Sequence, residues 1–192
     1  TELGYLVDGF SAITIGGGSY SGNITSQANA SFKDPTTFTT SGTFTLSHDL
    51  SAASGTNASF TIGGPLTWNG GNITTGTGAV TLNGNLTLGG AGTRTLSSTS
   101  GIVTLGATTS NTVTGNATNL SISSGSAITT INSALSDIGT LGLGTTSQSG
   151  AITLNSAITA ASLTTAAGAY NVVLNTGSNG TSVIGTLRSE EH

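Results

Sequence analysis

One short pattern recurs along this chain: an apolar residue, a small or polar one, then a second apolar one. Leu66-Thr67-Trp68, Val80-Thr81-Leu82, Leu86-Thr87-Leu88, Val103-Thr104-Leu105, Leu120-Ser121-Ile122, Leu141-Gly142-Leu143 and Ile152-Thr153-Leu154 carry it in full, and Thr61-Ile62 in part. A period of two is the strand signature. Between these segments lie Gly63-Gly64, Asn69-Gly70-Gly71, Asn83-Gly84-Asn85 and Gly89-Gly90, turn residues that tolerate positive φ. Strand starts fall near Ile13, Phe38, Phe60, Val80, Ile102, Leu120, Leu141, Leu163 and Val183, at nearly even spacing. A repeat of about 21 residues with several short strands per unit reads as a solenoid. No unit buries its own apolar face, so units stack into a continuous core. A two-sheet sandwich also has short alternating strands, but it turns more often, about every 8–12 residues, and holds more aromatics.

Composition agrees with a thin-cored coil. Thr, Ser, Gly and Asn number 38, 27, 30 and 15 of 192 residues, whereas Leu, Ile, Val and Phe together number 43. Inward strand positions take the large apolar residues, outward ones Thr and Ser, and corners Gly or Asn. Thr, Ser, Asn and Gly are poor helix formers. Charged residues make up 5% of the chain, against about 25% in an ordinary soluble domain. Three Lys and Arg cannot neutralise a row of phosphates, so nucleic acid is excluded as a partner. Zero Cys excludes a disulfide scaffold. Disorder combines low hydrophobicity with high net charge; here the net charge is -4 and the mean hydropathy is +0.17. No run of 18 apolar residues is present, so no membrane-spanning helix is expected.

The reading is all-β: a parallel, right-handed β-helix of about eight rungs, with a rod length of roughly 40 Å at the usual strand spacing. Residues 1–12 form an N-terminal cap or a donor strand, residues 13–187 the solenoid, and residues 188–192 a polar tail or cloning remnant. Tyr5, Leu6, Val7 and Phe10 give the first segment an apolar character suited to self-association through strand donation. Open solenoid ends pair with other chains. The partners expected are flanking repeats of a longer polypeptide or copies of the chain itself, with surface glycans as further candidates.

Asp8-Gly9-Phe10-Ser11-Ala12-Ile13-Thr14-Ile15-Gly16, Ala30-Ser31-Phe32-Lys33-Asp34-Pro35-Thr36-Thr37-Phe38 and Gly78-Ala79-Val80-Thr81-Leu82-Asn83-Gly84-Asn85-Leu86-Thr87-Leu88 resemble the repetitive bodies of large bacterial exoproteins. These are the filamentous-haemagglutinin-like and autotransporter-like β-strand-repeat proteins. The stretch from Ala157 to Leu174 is similar, and the likeness runs from about Asp8 to Leu187. The resemblance implies a parallel β-helix, export to the bacterial surface, and adhesion or a stalk role. It also implies an internal piece of a longer chain. The absence of Cys and Met fits an extracellular setting.

Candidate chemistry is sparse. Asp34 and Asp49 fall in adjacent rungs, where a glycosidase-like pair would need to face each other. His48 beside Asp49 supplies a single imidazole, too few for zinc. The Gly-Gly turns lack the Asp of calcium-binding solenoid turns. Asn-x-Ser/Thr triplets start at Asn23, Asn29, Asn57, Asn72, Asn85, Asn116, Asn119 and Asn179, as chance gives in such a composition. Thr37-Phe38-Thr39, Thr43-Phe44-Thr45, Thr75-Gly76-Thr77, Thr93-Arg94-Thr95 and Thr112-Val113-Thr114 hold a Thr-x-Thr form suited to ordering water, but at no fixed place in each rung. Trp68, Tyr5, Tyr20 and Tyr170 read as core fillers or rung caps. No catalytic, cofactor-binding or metal-ligating residue is assigned. The expected function is a non-catalytic extracellular structural or adhesive rod. The alternatives are a self-assembling filament subunit and a carbohydrate-binding or ice-binding solenoid.

Overall fold

The structure, a computed structural model, describes residues 8–175 and 182–189. It is all-β. The first turn holds β1 (Ile13–Gly16), β2 (Ile24–Thr25) and β3 (Ala30–Phe32); the second β4 (Thr36–Thr39), β5 (Phe44–Leu46) and β6 (Leu50–Ala52). The third holds β7 (Phe60–Ile62), β8 (Leu66–Trp68) and β9 (Ile73–Thr75); the fourth β10 (Val80–Leu82), β11 (Leu86–Leu88) and β12 (Thr93–Ser98). The fifth holds β13 (Val103–Leu105), β14 (Thr112–Thr114) and β15 (Asn119–Ser123). Then come β16 (Thr129–Ile131) and β17 (Ala134–Leu143), β18 (Ile152–Leu154) and β19 (Ile158–Thr165), and β20 (Val172–Leu174) and β21 (Val183–Ser189). Arg188 and Ser189, assigned to a tail by sequence, thus belong to the last strand. No helix is long and apolar enough to cross a membrane among the described residues.

Every strand pairs in parallel with its counterpart one turn away, forming about seven turns of about 23 residues. The first face is an eight-stranded sheet, β1-β4-β7-β10-β13-β16-β18-β20. The second stacks β2, β5, β8, β11 and β14; the third stacks β3, β6, β9, β12 and β15. The two merge in β17, which pairs with β14 through its first half and β15 through its second. Between these halves Asp137 has a φ of 53° and the register with β19 shifts. A bulge there carries the strand round the corner.

The core is a set of inward columns. On the first face one runs Ile15, Phe38, Ile62, Leu82, Leu105, Ile131, Leu154 and Leu174. Inside the first turns Phe38 stacks on Phe44, and Phe32 meets Phe38 and Phe60 edge-on. On the first face two buried threonines, Thr36 and Thr129, interrupt the apolar lining. Thr36 donates to the Asp34 carbonyl and Thr129 to Ser124 Oγ, so neither hydroxyl is left unpaired in the core.

The corners explain the glycine content. Gly78 lies over the Ala58 carbonyl and Gly101 over the Gly78 carbonyl, and a Cβ at either would collide with that backbone. At these two rungs the close stacking therefore requires Gly.

The repeat length read from sequence is slightly short, and the reason is a change of face. The true first-face series continues from Val103 to Thr129, Ile152 and Val172. Leu120, Leu141 and Leu163 form a genuine column, but on the third face. The short step from Ile102 to Leu120 thus joins two faces of one turn. Turn length itself also varies, the step from Phe60 to Val80 being short and that from Val103 to Thr129 long.

Candidate functional site

Asp34, Asp49 and Arg94 bond to the backbone of neighbouring turns. Asp49 precedes β6 and Asp34 follows β3, so they stand at opposite ends of the third face. Asp34 Oδ1 accepts from the Gly9 N–H at 3.3 Å. Asp49 Oδ1 accepts from the Asn72 N–H at 2.8 Å. They line separate cavities, so the facing pair considered from sequence does not form. His48 places Nδ1 3.3 Å from the Ser26 carbonyl, with no triad. Among the described residues no three His, Cys, Asp or Glu side chains group to hold a metal.

Asp49 belongs to a ladder. The Asn29 side-chain oxygen accepts from the Asp49 N–H, Asp49 accepts from Asn72, and Asn72 accepts from the Thr95 N–H. Each side chain thus satisfies a backbone donor one turn along. Asn23, Asn85 and Asn119 do the same for Thr43, Thr112 and Thr140, and Asn116 donates to the Leu88 carbonyl. Six of the eight glycosylation-type asparagines are therefore engaged in stacking. Asn57 is exposed, and Asn179 lies outside the described residues.

The Gly-Gly turns are filled from within. Trp68 is fully buried, and its Nε1 donates to the Gly70 and Gly71 carbonyls at 3.0 and 3.1 Å. Arg94, only 4% exposed, donates to the carbonyls of Trp68, Asn69, Gly89 and Ala91. Burial lowers the guanidinium pKa from its ordinary value. Where a calcium-binding turn would gather oxygens on an ion, this corner gathers them on a guanidinium. Arg94 escaped the sequence reading, yet its signal was present: in Thr93-Arg94-Thr95-Leu96 the alternation puts it inward with Leu96.

Among the described residues the aromatic side chains form no platform, and Tyr5 lies outside them. Trp68 is core and Tyr20 is exposed. Tyr170 donates to the Leu143 carbonyl at 2.7 Å and the Ala166 carbonyl at 3.0 Å. Burial raises its pKa above the ordinary 10.0. The folded state then favours the protonated phenol, so its contribution is complete below pH 10 and fades as pH rises through the folded value. Wild-type chain should lose stability in that range, and Tyr170→Phe should lose less of it as pH rises above the ordinary phenol value in denaturant titrations. Identical alkaline profiles would disprove the assignment.

Thr-x-Thr pairs scatter over the three faces as expected, and Thr75 is buried against the Gly78 carbonyl. Single outward threonines are another matter. Thr14, Thr37, Thr61, Thr81, Thr104, Thr130 and Thr153 stand in one unbroken register on the first face. Thr25, Thr45, Thr67, Thr87 and Thr114 form a second column on the second face. No fixed Thr-x-Thr spacing signals these columns, because each strand contributes one member to its column.

Of the self-association residues, Phe10 is exposed at 48%; Tyr5, Leu6 and Val7 lie outside the described residues. Cavities open at two places among the described residues. One of about 590 Å³ opens on the first turn and is lined by core side chains including Ile15, Ile24, Phe32, Phe38 and Phe44. The other, about 440 Å³, holds Asp8, Lys33, Asp34 and Asn57 at a corner. No protein-family model matches the chain, and searches of curated proteins and of solved structures return no significant match.

Proposed function

We propose that this chain is a non-catalytic structural rod of a bacterial surface adhesin or stalk. The observation that carries this reading is the continuity of the core. Inward columns run turn upon turn, and the ionisable groups Asp49 and Arg94 serve the stacking itself. A stack of this kind grows by adding turns, so it sets a distance between whatever lies at its ends. Seven steps at the usual strand spacing span about 34 Å. The resemblance of the repeats to filamentous-haemagglutinin-like bodies points the same way. Antibody raised against the purified chain should label intact source cells. Labelling that appears only after permeabilisation would contradict a surface role.

The threonine columns favour a second reading, adhesion to an uncharged, periodic surface such as a polysaccharide or ice. Thr104→Lys with Thr130→Lys should abolish retention on such a surface while leaving the far-ultraviolet spectrum unchanged. Equal retention of variant and wild type would remove this reading.

A further inference from the structure

Stacking decides which corner side chains are held and which are left free. At the end of the first face Asn83, Asn132, Asn155 and Asn175 take the same corner position in four turns. Their N–H groups donate to the Ile62, Leu105, Ile131 and Leu154 carbonyls, each one turn back. The last three also bond through their side chains. Asn132 Nδ2 donates to the Gly106 carbonyl, Asn155 Nδ2 to Asn132 Oδ1, and Asn175 Nδ2 to Asn155 Oδ1. Asn83 stands outside this ladder, because the corner holds Gly63 in the turn before and Gly106 in the turn after. It is partly exposed, and its side-chain amide makes no hydrogen bond.

Of these four asparagines, Asn83 alone precedes a glycine. Glycine, with no Cβ, presents the least hindered backbone nitrogen to the side chain before it, and the Gly84 N–H is itself unpartnered. The other Asn-Gly pair in the described residues is held closed. The Gly70 N–H donates to the Leu46 carbonyl at 3.2 Å, and the Asn69 carbonyl accepts from Arg94 at 2.7 Å. A third pair, Asn179-Gly180, lies outside the described residues.

We propose that Asn83 is a site of spontaneous deamidation, and that the fold directs this chemistry to Asn83 over Asn69. The Gly84 nitrogen attacks Asn83 Cγ. A new N–Cγ bond forms, the bond from Cγ to Nδ2 breaks, and the Gly84 proton departs with that nitrogen as ammonia. The product is a five-membered imide, and water adds to one of its two carbonyls. Opening at Cγ gives aspartate. Opening at the backbone carbonyl gives isoaspartate, in which the main chain runs through the former side chain. One water is consumed and one ammonia released, with no oxidant or reductant. Either product adds one negative charge to a chain of net charge -4. Isoaspartate also lengthens the backbone at a corner without slack, since a Cβ on Gly84 would already collide with the Gly64 carbonyl beneath it. The modification therefore loosens the stacking of the third and fourth turns. This goes beyond the rod reading and holds whatever the rod's location.

The test uses the whole chain, held in mildly alkaline buffer and sampled over time. Peptide mapping by mass spectrometry places each amide-to-acid conversion. In the folded chain Asn83 should convert about fivefold faster than Asn69, because attack at Asn69 must first give up one ordinary hydrogen bond of the Gly70 N–H. In guanidinium-unfolded chain the two should convert at equal rates, since each then precedes an unrestrained glycine. Asn83→Gln should remove the isoaspartate at this corner and keep the wild-type circular dichroism spectrum. The comparison of Asn83 with Asn69 is made within wild type, so it stands even if that variant fails to fold. An Asn83 that stays intact in the folded chain overturns the proposal. Equal conversion of Asn69 and Asn83 in the folded chain overturns it too.

Discussion

Trp68→Ala should remove about 3–5 kcal/mol of stability, the typical cost of emptying a buried Trp position. Trp68 is 0% exposed, stacked between Leu46 and Leu88 in adjacent turns. Its indole also satisfies the Gly70 and Gly71 carbonyls. Truncation therefore opens a cavity and frees two acceptors together. Against a typical total of about 5–15 kcal/mol, the loss is a large fraction. Trp68→Phe keeps most of the packing and should lose less. Urea midpoints followed by circular dichroism measure both. A midpoint for Trp68→Ala within error of wild type would mean that the stacked core is not what holds the chain.

Arg94→Met should cost about 2–4 kcal/mol, although the replacement is apolar and of similar reach. A hydrogen bond to a charged group contributes about 1.5–3 kcal/mol, and an abandoned buried acceptor costs about 1–3. Four carbonyls from turns three and four share this guanidinium. Arg94→Lys should restore only part of the loss, because an ammonium lacks the planar fork that reaches several acceptors. The same midpoints decide it. Full stability in Arg94→Met would show that the corner closes without its cation.

The fold was legible because its determinants are local and repeated. Val80-Thr81-Leu82 and Val103-Thr104-Leu105 state inside and outside by alternation alone, and they pair in the register their spacing suggests. The turn length was less legible. Leu120 and Val103 look alike in sequence, and nothing local tells which of three faces a strand occupies. Residues that act between turns were the hardest to read. Asp49 looks like a lone acid until Asn29 and Asn72 are stacked either side of it. The threonine columns were hidden for the same reason, since successive members lie a full and variable turn apart along the chain.

The turns stack in parallel, one rung per repeat. The chain has no Cys, so paired spin labels can be placed cleanly on the outward threonine column. Labels at Thr37→Cys and Thr153→Cys, five rungs apart, should report a backbone separation of about 24 Å. Moving the first label to positions 61, 81, 104 and 130 in turn should shorten it by about 4.8 Å each time. Separations that fail to fall in equal steps would contradict the stacked solenoid and everything built on it.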